Sequence, residues 1–119
     1  MTMGGAIDAA TFANLVEMTG GDLAFVDELV DTYLEEGDRL VEDLIVAATA
    51  ADVEAMVRPA HSMKSSSLNV GALDLGALCR ALEEDARGGA VDDPVGRANA
   101  IKVGFAEARA ALLEERLRR

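Results

Sequence analysis

The chain has 119 residues, half of them apolar but only 3% aromatic, and a formal net charge of −11. The charge is uneven: residues 1–54 carry thirteen acids against one base, Arg39, whereas residues 55–119 carry nine acids and ten bases. The acidic half repels a phosphate backbone and argues against a nucleic-acid partner, and no apolar run approaches the roughly 20 residues of a membrane span.

The length suits a single domain over residues 1–119, and an Ala-, Leu- and Val-rich composition favours helices over strands. The N-terminus lacks the basic-then-apolar layout of a signal peptide. One cysteine, Cys79, excludes an internal disulfide and fits a reducing, cytoplasmic compartment.

The spacing predicts a first, short helix over Asp8–Thr19, with Phe12, Leu15 and Val16 on one side and Gly20-Gly21 ending it. A second starts from Asp22 as N-cap. Its apolar stripe runs from Val26 through Leu29, Val30, Tyr33, Leu34 and Gly37 to Leu44 and Ala48, reaching about Ala50, with acids on the other side. Those acids read as a solvated face or as a rim that steers basic partners. A third helix starts at Asp52, with Val53, Met56, Val57, Ala60, Met63 and Ser67 inward. Pro59 inside it predicts a kink around Val57–Arg58, and Gly71 ends it. The fourth carries Leu75, Leu78, Cys79, Leu82 and Ala86 up to Gly88-Gly89. The fifth opens on Asp93-Pro94, an N-cap followed by proline at the first helical position. It buries Ala98, Ile101, Phe105, Ala108 and Leu112. Short connections between amphipathic helices predict an all-α, antiparallel up-down four-helix bundle, with the first helix laid across an end.

Few reactions fit these residues. A di-metal bundle needs paired Glu-x-x-His motifs and zinc needs several Cys or His ligands. The chain has one histidine and one cysteine, so no metal site is expected. Cys79 falls on the core stripe, where a thiol acts as a small hydrophobe. His61 remains. At about 100° per residue it lies some 80° round from Val53, at the edge of the apolar stripe. An edge position leaves one ring nitrogen in solvent while the protein holds the other. Neutral imidazole is a good nucleophile near pH 7, and Lys64, one turn on, can pair with incoming negative charge. A half-buried structural histidine is the alternative reading. Val57 and Leu68 flank His61 on the stripe edge and Arg58 lies beside it, a small apolar patch with a polar rim that suits a partner.

The block Ala60-His61-Ser62-Met63-Lys64-Ser65-Ser66-Ser67, followed by Val70-Gly71-Ala72, resembles the core motif of histidine-containing phosphotransfer (HPt) domains. The stretches Leu78–Gly89 and Thr19–Leu34 extend the likeness to roughly residues 10–115. The resemblance implies that His61 accepts a phosphoryl group from a receiver-domain aspartate or a kinase module and passes it to another receiver, without kinase activity of its own. It implies that Lys64 stabilises the transferring oxygens and that any Mg²⁺ comes with the receiver, leaving no cofactor here. Glu83 falls where the family often has a Gln or Glu that holds the other ring nitrogen; a solvated acid in the run Glu83-Glu84-Asp85 is the other reading. Ser65 replaces the family glycine four residues after the histidine. Its hydroxyl either contacts the phosphoryl group or crowds the docking face, and it keeps open an alternative in which the bundle docks partners without phosphate.

Overall fold

The helices follow from their boundary residues. In the computed structural model, which describes residues 5–119, they are α1 (Ala9–Met18), α2 (Leu23–Thr49), α3 (Val53–Val70), α4 (Leu73–Arg87) and α5 (Pro94–Leu117). Four start on an aspartate whose carboxylate accepts a backbone N–H three residues on: Asp8, Asp22, Asp52 and Asp93. Each satisfies one of the free donors that open a helix. α4 starts without a side-chain cap, directly after Gly71 closes α3 in a left-handed conformation, φ 93°. An added Cβ at Gly71 would stand 2.8 Å from the Asp8 carbonyl, and the Asp8 N–H donates to the Gly71 carbonyl at 2.7 Å. This residue therefore ends α3 and ties down the start of α1.

α2, α3, α4 and α5 form the four-helix bundle. Each packs on its neighbours in chain order and α5 closes back on α2, so that α3 and α5 occupy opposite corners. α1 lies against α2 and α3 near the end of α3. Leu44, Met56, Met63, Leu82, Ile101 and Leu112 are fully buried in the centre. The predicted inward positions of α2 and α5 meet at Gly37, where a Cβ would sit 2.2 Å from the Phe105 ring. The absence of a side chain there lets the two helices close around that ring. Tyr33 meets Phe105 edge to face, 5.6 Å between centroids, and its hydroxyl shares a buried 2.9 Å hydrogen bond with Ser67. Cys79 is buried, and burial pushes its thiol up to about 12, which leaves it protonated and unreactive near neutral pH.

α3 is helical without interruption from Val53 to Val70, so the bend expected at Val57–Arg58 does not break it. The donor that Pro59 lacks would have bonded the carbonyl of Ala55, four residues back, and Ala55 lies on the exposed side, where water can serve that carbonyl. The Pro59 ring is buried.

Candidate functional site

His61 lies in the middle of α3, on the side that turns toward α4. α3 and α4 form the most extensive helix pair, joined by only Gly71 and Ala72. Gly76 on α4 receives the Leu68 side chain, since a Cβ there would lie 2.5 Å from Leu68 Cδ2. This close approach brings the third and fourth turns of α4 against His61. The histidine side chain is 51% exposed, and its Nδ1 stands 2.9 Å from Glu83 Oε2. Nε2 makes no hydrogen bond among the described residues.

Glu83 is not a solvated acid: its side chain is only 8% exposed. Lys64 Nζ lies 2.7 Å from its Oε1, and Arg87, one turn along α4, places Nε and Nη2 each 2.9 Å from its Oε2. Lys64, aided by Arg87 and His61 and opposed by burial, holds the Glu83 carboxyl down at about 2, against an ordinary 4.5. The group is therefore a carboxylate at neutral pH. A carboxylate accepts only, so in a neutral ring the shared proton sits on Nδ1 and the lone pair on Nε2. One carboxylate, one ammonium and one guanidinium leave the cluster with a single net positive charge around the ring, which suits an anionic group arriving at Nε2.

The residues expected to meet a partner divide between two hollows. Val57 and Arg58 line one of about 760 Å³ between α3 and α4, with Arg87 across from them. Leu68 lines another of about 460 Å³ among α1, α2 and α3, with Leu15, Met18, Leu29 and Tyr33. Ser65 is exposed and its hydroxyl makes no hydrogen bond among the described residues. Arg87 was absent from the sequence-based site. The only sign of it is a Glu–Arg spacing of four on α4, which marks an ion pair but not what the pair faces. Among the described residues, no group of three His, Cys, Asp or Glu side chains is placed to share a metal ion.

Comparison with known proteins bears on this site. Among curated proteins none matches the chain significantly. Among solved structures, histidine-containing phosphotransfer protein B (HptB) from Pseudomonas aeruginosa PAO1 superposes with a TM-score of 0.87 at 29% identity, covering 98% of each chain. A histidine-containing phosphotransfer protein from maize shares the fold, with a TM-score of 0.80 at 20% identity over 97% of this chain and 92% of the other. The sequence profile of the Hpt domain matches residues 28–117, which include His61, Lys64, Glu83 and Arg87. The chain belongs to the Hpt domain family.

Proposed function

We propose that this Hpt protein is a phosphorelay intermediate whose phosphoacceptor is His61 Nε2. The observation that carries the reading is the Nδ1–Glu83 contact, which leaves the nucleophilic nitrogen unengaged on a half-exposed ring. In the forward step the Nε2 lone pair attacks phosphorus of a receiver's aspartyl phosphate. The P–O bond to the aspartate breaks, its electron pair stays on the carboxylate, and the phosphoryl group ends on Nε2. The ring is then positive with its proton still on Nδ1, and Glu83 sits opposite that charge. Transfer to a second receiver is the reverse, and neutral imidazole leaves. Lys64 and Arg87 both rest on Glu83 and both are long enough to turn toward phosphoryl oxygens, where charge-assisted hydrogen bonds are strong.

In this reading the chain holds no cofactor of its own. Mg²⁺ is supplied by the receiver's acidic pocket, and the protein does not phosphorylate itself. Its partners are receiver domains of response regulators or hybrid kinases, met over Val57, Arg58, Ser65 and Leu68, in the cytoplasm. Among the described residues no helix is long and apolar enough to cross a membrane. Nothing in the site geometry favours phosphate-independent docking. Incubation with receiver domains charged by acetyl phosphate, followed by intact-mass measurement, tests the proposal. Gain of one acid-labile phosphoryl group is expected; no gain from any receiver of a broad panel would contradict it.

A further inference from the structure

α5 is apolar on two sides. Ala98, Ile101, Phe105, Ala108 and Leu112 face the core. Val103, Ala106, Ala110, Leu113 and Leu117 lie outside it, with Val103 59% and Leu117 86% exposed. A helix that only covers a bundle has a polar outer face. These five positions instead alternate steps of three and four, the a/d repeat of a two-stranded coiled coil. They extend about 21 Å along the helix at 1.5 Å per residue.

Charges flank the seam in order. On the helical wheel Lys102 and Arg109 fall on one side of it and Glu107 and Glu114 on the other. Arg109 is tied to Asp38 on the α2 side and Glu114 to Arg118, while Lys102 and Glu107 make no ion pair among the described residues. Beside the acidic flank a groove of about 550 Å³ opens between α4 and α5, lined by Leu78, Ala100, Gly104 and Ala110.

We propose that a second copy of this chain docks on the outer face of α5, with the two α5 helices parallel. A two-fold axis along the helices sets the basic flank of each copy against the acidic flank of the other, Lys102 facing Glu107 and Arg109 facing Glu114, the spacing of charge pairs across a parallel seam. An antiparallel pair would set basic flank against basic flank and acidic against acidic. Leu113 of each copy then meets Leu113 of the other across the axis, beside the smaller Ala110 that lines the groove. The chain as a whole repels itself at a net charge of −11, but this face carries two acids and three bases, the third being Arg116, held by Asp27 and Asp31 of α2, and it is where a second copy meets least repulsion. A single seam of this length buries less than the roughly 1,200 Å² of a standard interface, so the dimer is weak and forms only at high protein concentration. α5 stands at the opposite corner from α3, so both copies keep His61 open and the dimer presents two phosphoacceptors at once.

Sedimentation velocity on the full chain from about 5 to 500 μM tests this. The wild type is expected to shift from monomer toward dimer. Leu113→Glu should stay monomeric. Lys102→Glu or Glu107→Lys alone should weaken association about tenfold, and the double swap should restore it. All three side chains are at least a third exposed, and a thermal melt in dilute solution checks that each variant folds. A wild type that stays monomeric throughout, or one whose association survives Leu113→Glu, overturns the interface. A double swap that fails to restore association overturns the parallel arrangement.

Discussion

His61, Lys64 and Arg87 all rest on one carboxylate, and substitutions around Glu83 separate their parts. Lys64→Ala removes a cation that can follow the transferring oxygens. It should slow phosphoryl transfer about 10-fold or more, worth about 1.4 kcal/mol of barrier, with receiver binding nearly unchanged; rapid-quench transfer kinetics beside a binding isotherm check this. Glu83 also makes stability depend on pH. Its folded carboxyl titrates at about 2 and the free group at 4.5, so the stability it adds is complete above about pH 5 and is lost as pH falls toward 2. Urea unfolding of wild type and Glu83→Gln should therefore converge over that window. Ser65→Gly should speed transfer to a cognate receiver if the hydroxyl crowds the docking face, while costing up to about 1 kcal/mol of stability as glycine does within a helix. Stopped-flow transfer with one matched receiver measures the first effect; a slower variant with unchanged binding would show that the hydroxyl assists. At this scale the sequence was legible where chemistry is singular, as with one histidine and a lysine one turn away. Glu83 was singled out through the family likeness but left open between holding the ring nitrogen and lying in solvent with Glu84 and Asp85. The approach of α4 to α3 at Gly76 and Leu68 buries it and brings Arg87 onto it.

The helices were readable from their ends because aspartate caps and glycine stops act locally. The residues at Asp8, Asp22, Asp52, Asp93, Gly71 and Gly88 mark boundaries whatever the helix packs against. Pro59 leaves the Ala55 carbonyl without its helical donor, and α3 stays helical through it with Ala55 on the outside, where water can serve that group. Gly37 shows the converse. Its place in the stripe was clear, but the need for glycine there comes from Phe105, 68 residues away in sequence. Gly37→Ala would normally favour a helix. Here the added methyl meets an aromatic ring that already packs edge to face on Tyr33, so the variant should lose about 1–3 kcal/mol. Thermal and urea unfolding check the sign, which opposes that of helix propensity.

On the scale of the molecule, the bundle places two faces at opposite corners. α3 carries the histidine and its hollows, and α5 carries an apolar seam. The four-helix architecture was legible because each stripe is wide enough to need a partner and each connection is too short to reach any but an adjacent helix. The division of the expected docking patch into two hollows was not legible, since it depends on how α1 and α4 close over α3 from either side. The claim on which the rest of the account turns is that His61 alone carries the phosphoryl group. Wild type and His61→Gln, each shown to fold by circular dichroism, should be incubated with the same phosphorylated receiver and followed by intact mass and ³¹P NMR. One phosphoryl group is expected on the wild type, with the resonance of an Nε2-phosphohistidine, and none on the variant. Equal labelling of His61→Gln would contradict it.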